Sequence, residues 1–400
     1  MTSPPQTARV QLPSGDISDR GLRYIIVAGV GVFIFVCALL LILFLGARLP
    51  FATLIMASLA AIVPVPVSVM LILWLDRHER EPAGLLIASF LWGAIVAILF
   101  SLVINTGFFV VLRSVAGERI ANALATSVGA PLVEETAKGA AVVILFLLAR
   151  HEFNNVVDGI VYGALVGLGF EMSENLLYFG RAHAAGGLAA MGVSFYVRSI
   201  MGALGHSIYT AATGAGLGYA REAQGLVPKI LAPIAGYAAA VIMHALWNGT
   251  GVIMELSGLE VHPLVDLLIV LPGMALLYTL PAIVGLVAIA AGGWKREVRV
   301  IAESLRDEVE RGTVTAAEID VLCSWRERMR RLLGALAKDP GAWLALRQLY
   351  ELQVDLGYRK WHAARGERLM SFQQIMTEDE YRARIGTLRQ RLDAMGVATA

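Results

Sequence analysis

Eight stretches of roughly 20 or more mostly apolar residues fill the chain up to Ala291, and each is long enough to cross a bilayer as a helix. They run over Leu22–Gly46, Phe51–Leu75, Gly84–Leu112, Ala121–Ala149, Val156–Phe179, Val193–Tyr219, Ile230–Met254 and Leu264–Ala291. Lipid holds no water to satisfy backbone N–H and C=O groups, so such a stretch closes its own hydrogen bonds as a helix. The expected fold is all-α: a polytopic membrane bundle of about eight transmembrane helices over 22–291 with a small C-terminal soluble helical domain over 292–400. Charge placement supports that division. Only 16% of the 400 residues are charged, against roughly 25% in a soluble domain, and 35 of the 65 charges lie after Ala291. The first run is too long for a signal peptide and follows a polar leader. That leader, 1–21, holds Pro4, Pro5 and Pro13 and is expected to be disordered.

The net charge of +1 leaves no electrostatic footprint for nucleic acid. Cys37 falls in a span and Cys323 in the tail, so no disulfide is expected. An even number of spans puts both termini on one side. Arg9, Arg20, Arg23, Arg77, Arg80, Arg150, Arg221, Lys229, Lys295, Arg296 and Arg299 flank the spans there, against Arg48, Arg113, Arg119, Arg181 and Arg198 opposite. The excess of basic residues places both termini in the cytoplasm. In the tail, Thr315 with Glu318 and Thr377 with Glu380 have capping-box spacing, and Asp339-Pro340 marks a helix start. Leu344, Leu346, Leu349, Leu352 and Leu356 recur at helical spacing. The tail reads as a cytoplasmic helical appendage without chemistry of its own.

Ionisable residues inside a span cost a few kcal/mol or more and usually face a partner or a cavity. The fourth run holds Pro131, Glu134, Glu135 and Lys138. Glu134 and Lys138 are four apart on one face, while Glu135 points about 100° away. An ion pair between Glu134 and Lys138 accounts for one glutamate and leaves the second. Pro131 can open the helix just before them. The fifth run holds Glu171, Glu174 and Asn175 after a stripe of Gly159, Gly163 and Gly167, a spacing that lets two helix backbones approach closely. His206 lies in the sixth run, and His244 lies one turn before Asn248 in the seventh. Counted along the helices, these groups can share one level in the outer half of the membrane, although an offset of a turn or two is equally open.

Histidine nitrogens and carboxylates are zinc ligands, and a further carboxylate can act as general base on bound water. No His-Glu-x-x-His helix is present. A metal-free form is equally writable: a glutamate held by Lys138 or a histidine activates water, and His244 with Asn248 stabilises the oxyanion. A proton- or cation-coupled transporter would also use intramembrane Glu and His, although no duplicated pattern marks the two halves. A non-catalytic protein that binds membrane segments is the third alternative.

Glu134-Glu135-x-x-Lys138, Phe170-x-x-x-Glu174-Asn175, isolated His206 and His244-x-x-x-Asn248 together resemble the four motifs of the PrsW family. Trp74-Leu-Asp76-Arg77-His-Glu-Arg80-Glu81-Pro82 and Asp158-Gly-Ile-Val-Tyr-Gly resemble it too, and the likeness covers roughly 60–255. These are membrane-embedded bacterial proteases, distantly similar to the type II CAAX prenyl endopeptidases. In many members of that wider superfamily the paired glutamates are followed by Arg at a longer spacing, or the fourth motif ends in Asp. Lys138 fits the PrsW branch, and Asn248 is an accepted alternative. The resemblance implies an intramembrane endopeptidase in the bacterial cytoplasmic membrane. It would cut a membrane-anchored protein, such as an anti-sigma factor, near the extracytoplasmic face. The family's metalloprotease label makes zinc the expected cofactor. The implied site has Glu134 or Glu135 as base, with His206, His244 and Glu174 as metal ligands or transition-state stabilisers. Asn248 and Lys138 would orient them, and Phe170 and Asn175 would lie at the substrate.

Overall fold

A computed structural model of the chain describes residues 17–258, 262–366 and 376–400, and every regular element among them is helical. Most of the expected N-terminal leader lies outside the described residues. The first helix, α1, spans Ile17–Arg48, so it starts before the expected Leu22. It is followed by α2 (Phe51–Ile62), α3 (Val65–Leu75), α4 (Ala83–Leu91), α5 (Ile98–Ala116), α6 (Glu118–Leu124) and α7 (Ala130–Leu148). Then come α8 (Val156–Phe195), α9 (Gly205–Glu222), α10 (Leu226–Ser257), α11 (Pro263–Val265), α12 (Leu271–Met274) and α13 (Leu280–Ser304). The tail adds α14 (Arg306–Glu310), α15 (Ala316–Cys323), α16 (Trp325–Lys338), α17 (Pro340–Ala364) and α18 (Glu378–Ala394).

Six helical stretches among the described residues are long and apolar enough to cross a membrane: Ala28–Arg48, Phe51–Leu75, Ala83–Ala116, Val156–Glu222, Leu226–Met254 and Asp266–Glu310. Two of the eight expected runs differ for identifiable reasons. The run over 121–149 carries Glu134, Glu135 and Lys138, which take it out of the apolar set. Val156–Glu222 is one hydropathic stretch but not one straight helix. Gly186 and Gly187 leave the helical region there, Gly187 with φ +66°. The Phe179 and Phe195 rings then meet at 5.8 Å. In a straight helix those residues would stand about 24 Å apart, so the chain has folded back.

The returning strand of this hairpin packs antiparallel on the outgoing one. A Cβ at Gly159 would fall on the Gly214 carbonyl oxygen, at Gly163 on that of Thr210, and at Gly167 on that of His206. The glycine stripe therefore brings two backbones into direct contact and fixes which residues of α8 face which of α9. On its other side Gly169 admits the Phe90 carbonyl of α4. Replacing Gly163 by Val is expected to cost at least about 1–3 kcal/mol. This would be read as a lowered thermal midpoint in detergent, with Gly107→Val as control, since nothing lies within 4 Å of a Cβ there. An unchanged midpoint for Gly163→Val would contradict the close approach.

Around the buried glycine-lined part of this hairpin stand helices whose outer faces are apolar and exposed, as in Phe35 (68% exposed), Val103 (67%) and Ile253 (68%). A surface of that kind suits lipid rather than water. Helix α13 runs without a break past Gly292, the expected boundary, and delivers Ile301 to the core of the tail. There it meets Leu322, Leu346, Leu349 and Leu356, all buried, whereas Leu344 points outward. Both capping boxes form, at Thr315 with Glu318 and at Thr377 with Glu380, and Asp339 caps α17 ahead of Pro340. The tail grips the α3–α4 connection. Arg328 donates to the His78 carbonyl at 2.9 Å, and Arg80 lies 3.6 Å from Glu351. Burial, with Arg328 and Arg77 alongside, pulls His78 down to about 4. Cys37 and Cys323 are both free thiols.

Candidate active site

The catalytic candidates converge at the middle of the hairpin. A π-helical turn, Ala125–Gly129, leads into α7, whose first turn holds Pro131. One helical turn on, Glu134, Glu135 and Lys138 are all buried. The expected pair Glu134–Lys138 does not form. Lys138 Nζ instead donates to Glu135 Oε1 at 2.6 Å, a partner three residues back. Glu135 faces α9 and α10, where further donors wait, and the lysine follows it. Its other partners are His206 Nδ1 at 2.9 Å and the face of the Phe170 ring at 4.4 Å. A buried charge needs such partners to persist.

Glu135 is fully engaged. Thr210 Oγ1 donates to its Oε2 at 3.1 Å, and His244 Nδ1 lies 2.9 Å from its Oε1. Glu134 is not. Asn105 Nδ2 donates to its Oε1 at 3.2 Å, while Oε2 is buried without a hydrogen-bond partner. That oxygen lies 3.8 Å from His244 Nε2. The His244 ring stacks on Tyr209, centroids 5.2 Å apart, and meets His206 edge-on at 4.9 Å.

His206 enters from a broken helix. A π-helical turn, Tyr196–Met201, ends at Gly202, and Leu204 (φ +64°) is the one non-glycine residue with positive φ among those described. Such a conformation costs about 1–3 kcal/mol and persists where surrounding packing enforces it. It starts α9 at Gly205, so that His206 Nε2 sits 3.0 Å from Glu174 Oε2. Arg198, on the π-helical turn, donates to Glu174 Oε2 and, through Nε, to Asn175 Oδ1 at 2.6 Å. Its guanidinium also covers the Tyr178 ring at 3.9 Å.

Donor and acceptor rules assign the protons. An ammonium only donates and a carboxylate only accepts. His206 Nδ1 therefore accepts from Lys138, and its single proton sits on Nε2, directed at Glu174. His244 carries its proton on Nδ1, directed at Glu135, and presents a free lone pair at Nε2. The opening between Glu134 and His244 lies in the wall of a cavity of about 660 Å³, also lined by Glu171, Glu174, His206 and Asn248. Asn248 donates to the Thr126 carbonyl at 3.1 Å. Glu135, Lys138, Phe170 and Asn175 stand behind that wall, with Phe170 fully buried against the His206 ring at 5.1 Å.

Glu134, His206 and His244 each offer one ligand atom, all within 4.8 Å of one another, so the chain holds a candidate Glu/His/His metal site. Glu134 takes the place that the sequence reading gave to Glu174. Two of the three donors suit a cation: the unpartnered Glu134 oxygen and the His244 Nε2 lone pair. His206 does not fit while Lys138 occupies its Nδ1, because Nε2 then carries the proton a metal would have to displace.

Arg198, Asn105, Thr210 and Tyr209 escaped the sequence reading. Arg198 had been counted among the flanking charges, and removing it leaves four basic residues on that side. Its place inside a helical run was the available signal, since a charge there is costly. The depth count also changes. The hairpin reverses at Gly186–Gly187, beyond the expected end at Phe179, so Glu171 and Glu174 lie further from the turn than expected, with Glu174 level with His206.

Comparison with known proteins bears on this geometry. Residues 81–279 match a family model described as PrsW family intramembrane metalloprotease. A Protease PrsW of Geobacillus kaustophilus (strain HTA426) is 31% identical over 149 residues, covering 37% of this chain and 59% of the relative. One of Clostridioides difficile (strain 630) is 34% identical over 121 residues, covering 30% and 49%. The chain thus spans about half to three-fifths of the curated relatives it matches. No solved structure matches.

Proposed function

We propose, from the match of residues 81–279 to the PrsW family model, that this chain is an intramembrane endopeptidase in which Glu134 activates water against a peptide bond of a membrane-anchored protein. One observation carries the reading. Of the two adjacent glutamates, only Glu134 keeps an unpartnered oxygen, and that oxygen faces His244 Nε2 across 3.8 Å in the cavity wall. Two acceptors at that spacing suit one water, with each hydrogen bond about 2.8 Å long.

The remaining residues set up this pair. Glu135 accepts from His244 Nδ1 and so holds the tautomer whose Nε2 can receive a water proton. Lys138 neutralises Glu135 in the dry interior. On attack, the water oxygen bonds to the scissile carbonyl carbon and its proton passes to Glu134. The carbonyl oxygen becomes an oxyanion within reach of the second amide hydrogen of Asn248, the first being spent on Thr126. When the tetrahedral species collapses, the C–N bond breaks and Glu134 returns its proton to the leaving amine. Glu174, held by Arg198, fixes His206, whose ring braces His244. Phe170 and Asn175 act behind the site, as supports for Lys138 and Arg198. No step runs through a metal, although the family description names a metalloprotease.

We place the cut toward the non-cytoplasmic side in a chain of eight crossings with both termini cytoplasmic. The two-fold passage of Val156–Glu222 and the charged α7 supply the crossings that hydropathy alone leaves out. The substrate class expected from the resemblance is a single-pass, anti-sigma-factor-like protein.

The test is purified protein in detergent with a single-pass substrate. Cleavage is expected, to survive treatment with a strong zinc chelator, and no stoichiometric zinc should co-purify. One zinc per chain, lost in His244→Ala together with activity, would replace the water-only mechanism with a metal-dependent one. Ion-driven uptake by proteoliposomes, with no cleavage, would favour a transporter.

A further inference from the structure

We infer that Arg48 and Arg181 form a basic collar at the mouth of the catalytic cavity and select substrates carrying carboxylates a few residues beyond the scissile bond; this rests on the protease reading. Both arginines line the same cavity as Glu134, Glu174 and His244. They come from adjoining points of the wall. Arg48 ends α1, and its neighbour Leu49 packs where a Cβ on Gly180 would fall, next to Arg181.

Neither guanidinium has a hydrogen-bond or ion-pair partner among the described residues. Arg48 lies over the Phe44 ring at 5.0 Å and makes no other polar contact. The contrast with nearby arginines is direct, since Arg113 pairs with Glu118 at 3.4 Å and Arg198 with Glu174. The cavity's own carboxylates, Glu134, Glu171 and Glu174, are more buried than the exposed Arg48 and Arg181. The one other arginine in the lining, Arg198, is paired with Glu174, and polar residues such as Asn105, Asn122 and Thr126 carry no charge. The cavity therefore has a carboxylate-bearing floor and a basic rim whose charges nothing among the described residues neutralises. An extended peptide with its scissile bond on the floor and its carboxylates at the rim satisfies both.

Spacing follows from helix geometry. The roughly seven residues of α8 from Glu174 to Arg181 rise about 10 Å. An extended substrate covers that in about three residues at roughly 3.3 Å each. The reading segment is thus the part of the substrate that leaves the bilayer on the mouth side, about two to four residues from the cut.

The experiment uses three single-pass substrates that differ only at those positions, carrying Asp/Glu, Asn/Gln or Lys. The full-length protein in detergent is expected to favour the acidic substrate over the neutral one by about tenfold in kcat/KM, with the preference shrinking as salt rises. In the double variant Arg48→Glu, Arg181→Glu the order should invert, with the Lys substrate cleaved best. A misfolded protein does not gain a new preference, so inversion separates recognition from damage. Equal cleavage of all three by the parent would overturn the inference. So would a uniform loss in the double variant, the result expected if the two arginines anchor the helix ends to lipid phosphates. Failure of the parent to cut any of the three would overturn the protease reading itself, and this inference with it.

Discussion

Glu134→Gln is expected to lower cleavage by about 10²–10⁴-fold while leaving the folded protein intact, the range a general base commonly contributes. The substitution is nearly isosteric, and Gln retains the carbonyl oxygen that accepts from Asn105. What it removes is the second acceptor oxygen, the one that faces His244 Nε2. Glu135→Gln should behave differently. It leaves Lys138 without its negative partner, so its first effect is on stability, and activity falls as a consequence. The comparison needs a thermal midpoint and a single-turnover rate for each variant. Undiminished cleavage by Glu134→Gln would remove it from the role of base. Loss of both activity and fold in Glu134→Gln would mean that its unpartnered oxygen is structurally engaged after all.

Lys138→Met should have the largest effect on stability. The lysine is fully buried, and its removal strands the Glu135 carboxylate in a dry interior. Breaking one side of a buried ion pair costs about 3–5 kcal/mol. Adding Glu135→Gln removes the stranded charge, so the double variant is expected to recover most of the lost midpoint. A single variant as stable as the parent would refute the pairing.

Much of this was legible in the sequence, and the parts that were not share one cause. Apolar length marked the membrane runs, and the Gly159–Gly163–Gly167 stripe marked a close helix contact. The paired glutamates, His206 and His244 stood out because ionisable groups are expensive in lipid. Spacing along one helix, however, says nothing about what a second helix brings. Glu134 and Lys138 share a face at four residues, yet Thr210 and His244 draw Glu135 inward and the lysine with it. Arg198 looked like a loop charge until the fold-back at Gly186–Gly187 placed it opposite Glu174. Hydropathy likewise splits a chain by composition and cannot see a reversal of direction inside one helical stretch. The tail was easier, since caps such as Thr315 with Glu318 are local and need no partner.

The central hairpin also constrains how the chain can be made. Val156–Glu222 is the least apolar of the six membrane stretches: its most apolar 18 residues have a mean hydropathy of 1.4, against 3.0 in Ala28–Arg48, and 89% of those residues are buried. Gly159, Gly163 and Gly167 on one arm meet Gly214, Thr210 and His206 on the other at backbone contact. The helices synthesised before it can partition into lipid singly, but this pair enters best as a preformed unit, its glycine faces and buried ionisable groups already covered by the opposing arm. Residues 156–222 would then be the slow step of biogenesis, and the stretch where a missense glycine does its harm before any substrate is met.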